Sequence, residues 1–223
     1  MGSEMCIRDR PKAAPVGADA AACGAPADES CGKYIDKRCI HPLQCKCGPA
    51  RLRPHAAVAR GLLKLFETSG ARADEERTVP HLAVRSPEGA IEEAVLDVVV
   101  SYPGMASSLN IDVTLRSTHA KRYEVSHVDA QEPLRHAERE KHDRYGSDVL
   151  PVALSPYGRL GEESRDSLRA LATHAVQWGR PAFRHKRPGQ VAGRWRMALE
   201  RVGIWQTVDV QLLALGATTS HLA

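Results

Sequence analysis

Along the chain the apolar positions change period several times, and each change marks an expected element. Residues 11–30 (PKAAPVGADAAACGAPADES) carry Ala, Pro and Gly with almost no large apolar side chain, which reads as a disordered linker. Cysteines, histidines and basic residues then crowd between Cys31 and His55. From Pro54 to about Ser69, Val58, Leu62, Leu65 and Phe66 recur at helical spacing, and Gly70 ends the run. A cysteine-rich knot followed by a helix is therefore expected.

Two β-rich runs follow, Val95 to Val100 (VLDVVV) and Leu109 to Arg116 (LNIDVTLR). Between them Tyr102-Pro103-Gly104-Met105 puts Pro and Gly at the central positions of a type II turn, so the pair reads as a hairpin. The segment from Pro133 to Gly146 is bracketed by the residues that open and close helices. Val149 to Leu154 is a third short strand. Glu162 to Gln177 forms a helix with Leu168, Leu171, Ala172 and Ala175 inward, and a last helix covers about Val191 to Val202. Strands and helices in this order predict an α/β or α+β domain over residues 57–216, behind a Cys/His segment at 31–56 and ahead of a tail at 217–223.

Length and composition narrow the class only broadly. The 223 residues fit one domain, or one with a small satellite, able to bury roughly two thirds of its unfolded surface. There is no glycine period, sustained heptad or apolar run of about 18 residues, which sets aside collagen, coiled coil and membrane span. With 31 Lys+Arg against 27 Asp+Glu the formal charge is +4, which permits an acidic partner without requiring one. The first ten residues, MGSEMCIRDR, back-translate as GTG GGC TCG GAG ATG TGT ATA AGA GAC AGR, which looks like a transposase-type sequencing adaptor read through in frame. Residues 1–10 are accordingly excluded as a library artefact. Arg8 and Arg10 offset Glu4 and Asp9, so the charge is unchanged, while removing Cys6 from six cysteines leaves five. On this reading the chain is the C-terminal piece of a longer protein.

The candidate chemistry lies on the hairpin. Asp97 shares a strand face with Val95 and Val99, and Asp112 shares one with Asn110, Thr114 and Arg116. If Gly104-Met105 is the tip, Asp97 lies opposite Asp112; if Pro103-Gly104 is the tip, the two are diagonal neighbours. Facing like charges destabilise a sheet, so a cation is expected between them, and two carboxylates are how Mg²⁺ usually enters phosphoryl-transfer sites. The competing reading leaves each Asp solvated on an exposed face. The following helix has Leu134, Ala137, Lys141 and Tyr145 on its inward stripe, with Arg135, Glu138, Arg139, Glu140, His142 and Asp143 on the other sides. A lysine on that stripe either snorkels outward or points at buried negative charge, and the acidic pair favours the second.

These residues carry a resemblance. The runs VLDVVVSYPG, IDVTLRSTHAKRY, EREKHDRYG and VLPVALSPYGRLG, in this order and behind a cysteine knot, resemble the endonuclease domain at the C-terminus of non-LTR retrotransposon polyproteins. That domain is restriction-endonuclease-like, of the PD-(D/E)xK group, with a mixed sheet flanked by helices. The resemblance spans about Cys39 to Gly216. It implies that Asp97 and Asp112 hold Mg²⁺ or Mn²⁺, and that Lys141 stabilises the attacking water or the phosphate. The usual tripeptide would put that lysine at Thr114, so Lys141 requires the displaced-lysine variant, with Lys121 in reserve. Ser155 stands where the family more often has Glu, and His81 where an acidic residue is usual. The implied activity is nicking of target DNA by phosphodiester hydrolysis, to prime reverse transcription. The implied partners are target DNA, element RNA and an upstream reverse transcriptase in the same polyprotein, acting inside the cell in the nucleus, with no membrane. The alternatives are a catalytically dead, zinc-stabilised nucleic-acid-binding module and an inactive fragment of a decayed element.

Cys39, Cys45, Cys47 and His55 follow the spacing C-x5-C-x-C-x7-H, with Cys31 and His41 as substitutes. Four such donors suit structural zinc, and a small knot with little apolar content needs a staple. Reduced cysteines without metal are the competing reading, and the odd cysteine count argues against a disulfide framework. The resemblance favours zinc, since those domains carry a Cys/His knuckle just upstream of an Arg/His-led helix. Arg51, Arg53, Arg60 and Lys64 surround the knot, while Arg180, Arg184, Lys186, Arg187, Arg194 and Arg196 cluster near the C-terminus. Of these, Arg51, Arg53, Arg184, Lys186 and Arg187 are the candidate phosphate contacts. Trp195 is expected in the core.

Overall fold

The run VLDVVV needs a neighbour on each side to satisfy its backbone, and it becomes an inner strand of the sheet. The computed structural model of the chain describes residues 52–86, 89–117, 129 and 131–214, and their side chains except at positions 52, 53 and 207–214. In chain order the elements are α1 (Leu52–Ser69), β1 (Arg72–Thr78), β2 (Val84–Arg85), β3 (Ile91–Glu92), β4 (Val95–Ser101), β5 (Leu109–Leu115), α2 (Glu132–Tyr145), β6 (Val149–Leu154), α3 (Glu162–Trp178), α4 (Pro181–Arg184) and α5 (Pro188–Ala214). The main sheet has the order β1-β4-β5-β6; β5 and β6 are parallel and the other pairs antiparallel. It is a mixed sheet flanked by helices, the α/β arrangement that the order of periodicities predicts.

The punctuation residues act as expected. Gly70 closes α1 at φ +97°, and Gly146 closes α2 at φ +67°. Gly104, at φ +90°, follows Pro103 in a turn in which the Met105 N–H donates to the Tyr102 carbonyl at 3.1 Å.

Alternation along the strands sorts the side chains to two faces. On one, Val98, Val100, Ile111, Val113, Val152 and Leu154 pack against Val58, Leu62 and Phe66 of α1, Leu168 and Leu171 of α3, and Trp195 and Leu199 of α5. Phe66 and Trp195 meet edge to face with centroids 5.2 Å apart, placing Trp195 in the core. On the other, Val99 and Val149 meet Tyr145 of α2, and Ala153 meets Leu134 and Ala137; Leu96 joins Val99 and Val149 too, so strict alternation along β4 holds from Val98 to Val100 and breaks at Asp97. Parallel strands need a crossover, and α2 is the one between β5 and β6. The same crossover lays α2 over the face that holds the acidic residues.

Several elements depart from the periodicity reading, among them the short β2, β3 and α4, which it does not anticipate. Strand β1, RADEERT, is almost wholly exposed and charged, which suits a sheet edge protected from further pairing but leaves no apolar alternation. Helix α5 runs on well past Val202. Gly203 there is a packing residue, since a Cβ at that position would sit 3.3 Å from the Cα of Gly158.

Candidate active site

The β4–β5 register pairs Val100 with Leu109, Val99 with Asn110 and Val98 with Ile111, so Asp97 comes opposite Asp112. This is the register expected for a Gly104-Met105 tip, but it is reached differently: the bonded turn is centred on Pro103-Gly104, and residues 102–108 make the connection. Beyond Val98 and Ile111 the strands part. Continuing the ladder would set Leu96 against Val113, but the Val113 N–H donates instead to Asp97 Oδ2 at 2.6 Å. The Val113 carbonyl faces His55 Nε2 at 3.0 Å, and that nitrogen also lies 3.3 Å from Asp97 Oδ2. Asp97 therefore fills the fork between two diverging strands, held by a backbone amide from β5 and an imidazole from α1.

Asp112 is 5% exposed, and Lys141 reaches it from α2, Nζ donating to Asp112 Oδ2 at 2.9 Å. Lys141 does not snorkel away. Its helix is held in place by Glu138, which the periodicity assigns to a solvent-facing side but which is only 3% exposed. Glu138 Oε1 accepts from the Ser164 N–H at 2.9 Å and from Ser164 Oγ at 2.7 Å, while Ser164 Oγ accepts from the Ala153 N–H at 2.7 Å. A carboxylate at the first turn of α3 is favoured by the helix dipole and satisfies an orphan amide. Glycine at 161 leaves room for this carboxylate, since a Cβ there would lie 2.0 Å from Glu138 Oε1 and displace it. One helical turn after Glu138, Lys141 is thus directed at Asp112. Arg116, at the end of β5, adds an ion pair to Glu140 of α2.

The two carboxylates titrate apart. Burial pushes Asp112 up to about 6, against the pull of Lys141 and with further repulsion from Asp97. Burial also acts on Asp97, but the hydrogen bond and charge of His55 outweigh it, and Asp97 lies below the ordinary carboxylate range. The bond to Asp97 in turn raises His55. Each carboxylate thus has its own basic partner, and each acts on the titration of the other.

Other expected site residues lie elsewhere. Cys39, Cys45, Cys47, Arg51 and Lys121 are outside the described residues, as is the side chain of Arg53. His55, offered by spacing as a zinc ligand, turns its Nε2 to Asp97 and Val113. Arg184 and Arg187 are exposed on the helical layer over the sheet face opposite the carboxylates; Arg184 Nε donates to the Gly179 carbonyl, and Lys186 lies over the Phe183 ring. Thr114 stands on the same sheet face as Asp112, His81 is exposed in a 3-10 turn, and Ser155 is buried just past β6, accepting from the Arg159 N–H. Sequence reasoning missed the placement of His55 and Glu138. Glu138 carries a signal, lying three residues before Lys141 and one after buried Ala137.

Comparison with protein-family models, with curated proteins and with solved structures finds no match to this chain. Function therefore has to be argued from the geometry. Among the described residues no helix is long and apolar enough to cross a membrane.

Proposed function

We propose that residues 57–216 form a restriction-endonuclease-like, metal-dependent DNA endonuclease domain, which nicks target DNA so that a linked reverse transcriptase can prime on the new end. The observation that carries this reading is the convergence of Asp97, Asp112 and Lys141 from β4, β5 and α2, with Lys141 Nζ 2.9 Å from Asp112 Oδ2. Two carboxylates facing one another, Asp97 half-buried and Asp112 buried and pushed up to about 6, form a pair that a divalent cation would stabilise. Among the described residues no three His, Cys, Asp or Glu side chains are grouped as a metal cluster, so the donor set would combine carboxylates with backbone oxygen.

Asp97 and Asp112, with the Val113 carbonyl, would hold Mg²⁺ or Mn²⁺. Once bound, the ion supplies Lewis acidity and a water of lowered pKa. Lys141 keeps Asp112 oriented. An ammonium has three donors, so the bond to Asp112 leaves capacity for a phosphate oxygen, where it offsets charge as the phosphorus is attacked. The buried surroundings strengthen that interaction, and hydrolysis at this site needs no covalent enzyme intermediate. Zinc, if held by Cys39, Cys45 and Cys47, is structural and apart from this chemistry. The rival reading, a nucleic-acid-binding module with a dead centre, draws on Ser155, which is committed to a turn, and on exposed His81. Supercoiled plasmid with Mg²⁺ or Mn²⁺ separates them: the full chain converts it to open circles and Asp112→Ala does not. Equal background conversion by both proteins would leave the binding module.

A further inference from the structure

We infer that His55 is a fourth cation donor of this centre, its Nε2 joining Asp97, Asp112 and the Val113 carbonyl around one divalent ion; the inference rests on the nuclease reading above and adds a residue to it. The geometry is specific. Nε2 lies 3.0 Å from the Val113 oxygen and 3.3 Å from Asp97 Oδ2. Around a six-coordinate ion with bonds of about 2.1 Å, neighbouring donors stand roughly 3 Å apart, so these atoms already have the spacing of adjacent ligands.

The two partners of His55 are available for a structural reason. Parting of β4 and β5 takes the Val113 carbonyl out of the strand ladder, and the Val113 N–H fixes Asp97 Oδ2 beside it at 2.6 Å. His55 itself is rigidly carried. It lies in the first turn of α1, one turn before Val58 and Ala59, which are 0% and 3% exposed in the core. An imidazole in the donor set favours first-row transition ions over Mg²⁺, which prefers oxygen. The centre is accordingly expected to bind Mn²⁺ more tightly than Mg²⁺, and His55 carries the difference. The opposing interpretation is that His55 only ties α1 to the sheet by a hydrogen bond.

Pulsed electron paramagnetic resonance of Mn²⁺ added to the full chain, at a fixed, slightly alkaline pH, separates the two without reference to activity. Imidazole ¹⁴N modulation is expected in the wild type and absent from His55→Ala, with Mn²⁺ affinity down at least about tenfold and Mg²⁺ affinity reduced less. His55→Gln, which retains a hydrogen-bonding side chain, is expected to lose the modulation as well, and it decides the matter if His55→Ala does not fold. Mn²⁺ that is displaced by Asp97→Asn but shows no ¹⁴N modulation, or modulation that persists without His55, would overturn the inference and leave the nuclease reading standing. Absence of any Mn²⁺ binding sensitive to Asp97→Asn would overturn both.

Discussion

The two faces of the sheet are made from the same strands and do opposite things. Val98, Val100, Ile111, Val113, Val152 and Leu154 point to a face covered by α1, α3 and α5, where nearly every side chain is apolar and buried. Val99, Asn110 and Asp112 point to the face under α2, where Lys141 meets Asp112, and at the fork where β4 and β5 part His55 reaches Asp97 from α1. The first face gains stability from area removed from water. The second gives some up, since burying Asp112 raises it to about 6 even with Lys141 beside it. Alternation with period two lets one strand serve both ends. Between Val98 and Val100, and from Asn110 to Val113, a substitution at an odd or even position should therefore affect one property and largely spare the other.

The largest expected effect is on the apolar face. Phe66 is fully buried against Trp195, so Phe66→Ala should cost about 3–5 kcal/mol in denaturant unfolding. Lys141→Met comes next and depends on pH. Without the ammonium, Asp112 rises further and takes up a proton, so unfolding at about pH 8 should show a loss of about 1–2 kcal/mol that shrinks towards pH 5. A loss independent of pH would mean that Lys141 contributes packing alone. The smallest effect is expected at Arg144→Ala, which breaks a half-exposed pair with Glu92 at 3.1 Å and should change stability by less than about 0.5 kcal/mol.

The polar face was partly legible in the sequence because its residues interrupt strong patterns. An Asp within VLDVVV and a Lys on the inward stripe of α2 are conspicuous against apolar neighbours, and Pro103-Gly104 limits the hairpin to a few registers. His55 was not legible. Cys39, Cys45 and Cys47 upstream of it suggest zinc, whereas its spatial partner Val113 is 58 residues away. Glu138 was assigned to solvent because a carboxylate ordinarily belongs there, and only the amide of Ser164 across the fold explains its burial. Strand β1 escaped because a charged edge strand has no apolar period, and the helix expected to end near Val202 runs on through Gly203, which makes close contact with Gly158.

The central claim, that charge is kept on the polar face for chemistry at a cost in stability, meets its most direct test in Asp112→Asn. In the metal-free wild type, Asp112 is raised above its unfolded value of 3.8, so between about pH 4 and 6 the folded state holds a proton that the unfolded state has released. Stability from this group therefore falls as pH rises through that window, and the penalty persists above it. Asp112→Asn removes the penalty while forfeiting the charge of the Lys141 pair, for a net gain of about 1–2 kcal/mol near pH 7. Measured together on one preparation, the variant should melt above the wild type in chelator and convert no plasmid with Mg²⁺ or Mn²⁺ while the wild type does. A variant that nicks DNA as fast as the wild type would contradict the account.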